Sequence, residues 1–196
     1  MKTYNRSDYE LVKQFIDGNQ SGIEQLINRY RTRVYTYIIL IVKKQHLAED
    51  IFQETFIKVI KSILDGKYKE NGKFLSWVIR IAHNLIIDYY RKLKQLNTIS
   101  RDDFEIDIFN SSKFSGTNIE DHLINKQVTK DIKNLIDELP PDQKEVIILR
   151  HYCDLSFKEI AEQTNVSINT ALGRMRYALI NLRKLVNEKK LSLALQ

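Results

Sequence analysis

Two prolines and six glycines in 196 residues leave this chain few places to break a helix or turn tightly. A sandwich or barrel needs many such turns, so the pattern selects a largely helical, all-α fold. The periodicity agrees. Phe74, Trp77, Val78, Ile81, Ala82, Leu85 and Tyr89 recur three and four apart and define one face of a long helix. Arg80, Asn84, Asp88, Arg91 and Lys92 occupy the opposite face, where Asp88 can pair with Arg91 or Lys92 one turn later. A second stripe, Leu47, Ile51, Thr55, Val59 and Ile63, is backed by Glu49, Asp50, Gln53 and Glu54. The first half therefore predicts a bundle of about four helices.

Charge divides the chain. Residues 1–95 carry 17 basic and 10 acidic groups, 96–130 carry 4 and 6, and 131–168 carry 4 and 8. Residues 169–196 reverse the balance with 6 basic groups and one acid. The formal net charge of +6 thus belongs to the first half and the last stretch. Between the helical parts, 95–120 reads as a linker: Asn110-Ser111-Ser112 and Ser115-Gly116-Thr117-Asn118 favour turns. Its middle, Asp102 to Phe109, alternates acidic and apolar residues, as would a short strand, a segment lying in a partner's groove, or a plain tether.

Leu155 to Arg174 is the most informative stretch. Ser156 followed by Glu159 is a capping-box start, Ile160 and Ala161 face inward, and the helix stops near Thr164-Asn165. Asn tolerates the left-handed backbone of a tight turn. Ser167 then caps a second helix through Thr170, Ala171, Arg174, Ala178, Leu182 and Leu185, with Ala161 and Ala171 small enough for close packing. This spacing predicts a helix-turn-helix, whose second helix enters a DNA major groove. That helix carries Arg174, Arg176, Tyr177, Arg183 and Lys184, and arginines there read guanine edges or neutralise phosphates. A structural helical hairpin with a solvated basic face is the alternative.

Three segments in register carry a family resemblance. Ala48 to Phe56 resembles the second-region helix of bacterial sigma factors, Phe74 to Lys92 their promoter-melting and minus-ten-reading helix, and Leu139-Pro140 through Leu179 their fourth region. Order, spacing and length are similar to the extracytoplasmic-function (ECF) group, which keeps only the second and fourth domains. The resemblance implies two small helical domains, 1–95 and 129–196, joined by an acidic linker over 96–128 that threads the polymerase's active-site and RNA-exit path. Asp50, Gln53 and Glu54 would dock on the β′ clamp of core RNA polymerase, with the β flap a further contact. The loop 67–73 would help hold an unstacked base, with Lys73, Arg80, Asn84, Asp88, Arg91 and Lys92 on the minus-ten surface. Lys158, Ser167, Asn169, Thr170, Leu172, Gly173, Arg174, Arg176 and Tyr177 would face the minus-thirty-five duplex. Where the family pattern continues from Thr-Val with polar residues, this chain has Ala171-Leu172-Gly173-Arg174. Trp77 reads as a core anchor, and Tyr89 or Tyr90 as a residue that can face DNA. The implied partners are core polymerase, promoter DNA and an anti-sigma factor, with no small-molecule substrate, in the cytoplasm.

Enzyme chemistry finds little support in the sequence. Gly66 to Gly72-Lys73 is one residue too long for a phosphate loop, Phe74 stands where a hydroxyl is needed, and no strand precedes it. His46, His83, His122 and His151 lack metal-ligand spacing, and a single cysteine, Cys153, excludes an internal disulfide. No nucleophile has a base, so no catalytic residue, metal or cofactor is expected. The apolar run ending at Val42 is too short to span a bilayer, and the N-terminal MKTYNRSDYE lacks a signal-peptide core. Two other classes stay open on residues alone: a helix-turn-helix regulator with an N-terminal ligand or dimerisation domain, and a recombinase-like enzyme using the motif for targeting.

Overall fold

The computed structural model describes residues 6–69, 71–96 and 134–189, and among these every regular element is helical. The chain divides into two compact units, 1–103 and 104–196. Gln95 and Leu96, read as the start of the linker, still belong to the helix Phe74–Leu96; the rest of the linker, 97–128, and its acidic-apolar segment fall outside the described residues.

The first unit contains α1 (Asp8–Ile16), α2 (Ser21–Val42), α3 (Gln45–Leu64) and α4 (Phe74–Leu96). Ser7 starts α1 with a capping box: its hydroxyl accepts from the Glu10 N–H while the Glu10 carboxylate accepts from the Ser7 N–H at 2.8 Å. These hydrogen bonds, reinforced by Arg6, hold the Glu10 pKa below the usual carboxylate range. α1 then lies very close to α2. A Cβ on Gly22 would sit 2.3 Å from the Leu11 carbonyl oxygen, so only glycine permits this approach. Asp8 fixes the same pair by accepting from Arg29 and from the Tyr30 hydroxyl, both at 2.5 Å. Burial, followed by the Asp8 contact, pushes the Tyr30 phenol up to about 12. α2 ends where Lys43 adopts a left-handed φ of 55°.

Leu11, Leu26, Val34, Tyr37, Ile38, Ile41, Val59, Val78, Ile79, Ala82 and Ile86 form the unit's interior. The only polar atom of the fully buried Tyr37 side chain is satisfied by His83, with Oη and Nδ1 2.8 Å apart. Burial lowers the His83 pKa. The α3 stripe is as expected, with Ile51, Thr55, Val59 and Ile63 buried and Leu47 half-buried; the Thr55 hydroxyl donates back to the Ile51 carbonyl. The α4 stripe needs correcting. Leu75, Ile79 and Ile86 are buried with Phe74, Val78, Ala82 and Leu85, whereas Trp77, Ile81 and Tyr89 are only half-buried. α4 packs against both α2 and α3, and its buried arc is as wide as the expected stripe but rotated by about 60° toward 75, 79 and 86.

The second unit runs from a helical turn at 134–137 through α5 (Pro141–Ile147), a π-helical turn (Ile148–Tyr152), α6 (Phe157–Gln163) and α7 (Ile168–Glu188). Pro141 starts α5 without loss, because the first N–H of a helix has no intrahelical partner. Ser156 and Glu159 form the expected capping box, Asn165 supplies the left-handed turn with φ 53°, and the Ser167 hydroxyl accepts from the Thr170 N–H at 3.0 Å. Ala161, Ala171 and Ala178 are buried at 4%, 0% and 0% exposure, which accounts for the small residues of the motif. Only Ala171 and Ala178 of α7 are buried outright, so most of its circumference is free for other contacts.

Candidate polymerase and nucleic-acid surfaces

Three surfaces hold the candidate residues. On α3, Asp50, Gln53 and Glu54 are all exposed, and Glu54 makes a loose ion pair with Lys58 at 3.5 Å. One helical turn further, Ile57 is 63% exposed, and Leu64 continues the same face at 62%. The sequence reading missed these two. Alone they look like ordinary helix residues, and the signal is that both fall outside the 47–51–55–59–63 stripe. Acidic groups beside bare apolar side chains suit a protein partner better than a phosphate backbone, which would repel the carboxylates.

On α4, Arg80, Asn84, Asp88 and Arg91 project within an arc of about 80°, all exposed, with Lys92 beside them. Asp88 accepts from Arg91 at 3.3 Å, so of the two expected partners the nearer one is used. Lys73 precedes the helix, half-buried, and its N–H donates to the Asn71 side-chain oxygen at 3.2 Å. Trp77 belongs to this face and is no core anchor. Its ring lies against Tyr68, centroids 4.4 Å apart, and against Phe74 at 5.8 Å. Tyr68 comes from the 67–73 loop, so an aromatic cluster ties that loop to the start of α4. Tyr89 and Tyr90 meet edge to face at 5.4 Å, each half-buried.

On α7, Asn169, Leu172, Gly173, Arg176 and Ile180 fall within an arc of about 100° that faces away from the buried seam at Ala171 and Ala178. Ser167, Thr170 and Tyr177 are exposed, as is Lys158 on α6. Arg174 is set apart. It lies about 150° around the helix from the centre of that arc and pairs with Asp142 of α5 at 2.5 Å. Beside it, Glu145 is buried, and desolvation pushes its carboxyl up to about 7, with Arg174 pulling down and Asp142 adding to the rise. Asp142 and Glu145 are thus tied to the recognition helix, which their place in an acidic stretch of sequence does not reveal. His151 is exposed against Tyr152, whereas Cys153, two positions on, is buried.

With these surfaces in place, the comparisons are decisive. The chain matches the Sigma-70 region 2 family over residues 26–95 and the Sigma-70 region 4 family over residues 129–177. It is 30% identical over 176 residues to the ECF RNA polymerase sigma factor SigW of Bacillus subtilis, covering 88% of this chain and 93% of that one. It is also 29% identical to the RNA polymerase sigma factor CarQ of Myxococcus xanthus, covering 93% and 99%. The chain belongs to the ECF sigma factors. It is a transcription initiation factor that directs RNA polymerase to promoters. The fold agrees with the sigma factor RpoE of Bartonella quintana, solved with the anti-sigma factor NepR, at a TM-score of 0.64 with 20% identity over 84% of this chain and 96% of that one. The α3 and α4 surfaces of this sigma factor lie inside the region 2 match, and the α6–α7 surface lies inside the region 4 match except for Ile180. Among the described residues no helix is long and apolar enough to cross a membrane, and no cluster of three His, Cys, Asp or Glu could hold a metal ion.

Proposed function

We propose that residues 1–95 act as sigma domain 2 and 129–196 as sigma domain 4, joined by the acidic segment 96–128. The α3 face of Asp50, Gln53 and Glu54 docks on the polymerase β′ clamp, and the exposed Ile57 and Leu64 supply the apolar area that carboxylates alone lack. The α4 face, with Lys73, Arg80, Asn84, Asp88, Arg91 and Lys92, takes the opened minus-ten strand. Its amide and cations offer hydrogen bonds to a base and a track for the backbone, and the Tyr68–Trp77 cluster offers a stacking surface beside them.

The α7 ridge of Asn169, Leu172, Gly173 and Arg176 enters the minus-thirty-five major groove, with Ser167, Thr170, Tyr177 and Lys158 around its rim. Domain 4 also contacts the β flap. The observation that carries this reading is the capped α6–α7 pair, which leaves the α7 ridge with Asn169 and Arg176 uncovered within its own unit. The factor works in the cytoplasm without catalytic chemistry of its own and is held in check by an anti-sigma factor. Exposed Leu172, Leu179 and Ile180, at 44–46%, give such a protein apolar contacts on the DNA-reading helix itself.

The test is run-off transcription with purified core enzyme and the chain's own upstream region. Promoter-dependent RNA is expected, and its absence across several salt concentrations refutes the assignment. Asp50→Lys with Glu54→Lys is expected to abolish core binding while leaving the helical circular dichroism unchanged. Retained affinity removes the docking role from α3.

A further inference from the structure

The α7 ridge and Arg174 do different work. A helix lying in a major groove turns its outermost ridge to the base edges and its flanks to the two phosphate walls. Asn169 and Arg176 are exposed on the ridge. Arg174 springs from the side of α7 turned toward α5 and lines the groove beside the flank residues Thr170 and Tyr177, its side chain only 23% exposed, paired with Asp142 at 2.5 Å and lying close enough to the buried Glu145 to interact with it electrostatically. Two carboxylates from one helix therefore address a single guanidinium from another, at an open groove also lined by Pro140, Thr170, Gly173 and Tyr177.

Resting on the reading that α7 takes the minus-thirty-five duplex, we propose that Asp142 and Glu145 are positioning residues that tether Arg174 on the flank of the recognition helix, where it meets a backbone phosphate, and leave base reading to Asn169 and Arg176. The tether limits sequence-independent affinity. A guanidinium already paired with Asp142 gains less from a phosphate than an unpaired one, and the two nearby carboxylates themselves repel the backbone. It also couples DNA binding to a proton. A phosphate that draws on Arg174 removes the charge that favours ionised Glu145 and adds a like charge, so Glu145 takes up a proton as DNA binds.

Asp142 and Arg174 face Glu145 directly. Lys144, buried next to it, is held by Asp137 of the helical turn at 134–137. Arg150 of the π-helical turn donates to the Leu155 carbonyl at 2.9 Å and lies over the Phe157 ring, and Tyr152 takes its electrostatic influence from Asp137.

The experiment measures holoenzyme binding to a short duplex carrying the mapped minus-thirty-five element and to the same duplex scrambled, with the core-only signal subtracted. Asp142→Asn is expected to raise affinity for the scrambled duplex several-fold and to narrow the ratio between the two, which a merely structural loss would not do. Arg174→Ala is expected to weaken both duplexes by the same factor and to lower the salt slope by about one unit. Between pH 6 and 8 wild-type affinity is expected to fall more steeply than that of Glu145→Gln. The difference between the two is the readout, because histidines titrate in the same window in both.

Equal pH slopes, a base-selective loss in Arg174→Ala, or lower affinity for both duplexes in Asp142→Asn overturns the proposal. Asn169→Ala and Arg176→Ala separate the two levels. If they weaken the specific duplex while the tether variants behave as wild type, the tether alone is wrong. If they weaken nothing, the assignment of α7 to DNA falls and takes the tether with it.

Discussion

Gly173 is a helix-interior glycine that the protein's own packing does not require. Its φ is not in the left-handed region, which among the described glycines holds only Gly18, Gly66 and Gly72. A Cβ built at 173 meets nothing within 4 Å, so Gly173→Ala carries no steric cost in the free protein. Alanine is about 1 kcal/mol better than glycine inside a helix, so the substitution is expected to stabilise α7 by about that amount. On DNA the sign reverses. Position 173 lies at the edge of the outer ridge, beyond Arg176 and next to Tyr177, where a methyl group is forced against the groove wall. Overpacking of that kind costs about 1–3 kcal/mol, equivalent to a loss of roughly 5- to 150-fold in affinity for the minus-thirty-five duplex. Native-state hydrogen exchange of α7 amides in the full chain measures the first effect, and holoenzyme binding to the duplex measures the second. Greater protection with undiminished affinity would show that the backbone at 173 does not approach DNA. Reduced protection would show that α7 is not an open helix there.

Two further outcomes follow from the packing. Gly22→Ala places a methyl 2.3 Å from the Leu11 carbonyl and 3.0 Å from the Phe15 nitrogen, both backbone atoms that cannot rotate away. The strain, about 1–3 kcal/mol or more, is expected to exceed the helix-propensity gain of about 1 kcal/mol and lower the urea midpoint followed by fluorescence of Trp77, the chain's single tryptophan; an unchanged midpoint refutes the close approach of α1 and α2. For Glu145, the folded-state pKa of about 7 lies above its ordinary 4.5, so the folded state binds the extra proton between those values. The contribution of Glu145 to the stability of the second unit is then expected to be fully present below pH 4.5, to fall by about 3 kcal/mol as pH rises to 7, and to level off above it. Glu145→Gln flattens this dependence, measured by hydrogen exchange of α5 and α7 amides at pH 5 and pH 8. Identical slopes in the two proteins place the titrating group elsewhere.

Much of the first unit was legible because α3 obeys a simple rule. Its apolar spacing coincides with the buried side, where Ala48 and Phe56 flank 51, 55, 59 and 63, while 50, 53 and 54 lie on the surface. α4 was read less well. Its apolar residues outnumber those one side can bury, so spacing alone does not choose among them: Leu75, Ile79 and Ile86 go inward, and Trp77, placed in the stripe by its spacing, sits on the polar face against Tyr68. The helix-turn-helix was legible almost residue by residue, since Ser156, Glu159, Asn165 and Ser167 act on their own backbone within three or four positions. Arg174 was read as one of several equivalent cations on that helix. Its distinction comes from Asp142, 32 positions earlier, and no local pattern links the two. The π-helical turn at 148–152 was likewise invisible, because its apolar residues fit an α-helix equally well.

By itself, then, the sequence determined what depends on short range: helices from apolar spacing and scarce breakers, caps from Ser, Asn and Glu at set offsets, the charge map, and through three motifs in register the sigma-factor resemblance. Tertiary structure decided what depends on neighbours brought together by folding. It set the rotation of α4, the glycine-permitted contact of α1 with α2, the bare Ile57 and Leu64 beside the acids of α3, and the pairing of Asp142 with Arg174 above a buried Glu145. The physical reason is range. Hydrogen bonds within one helical turn are written in adjacent letters, whereas desolvation and ion pairing depend on which surfaces meet, and that is settled only when the whole unit packs.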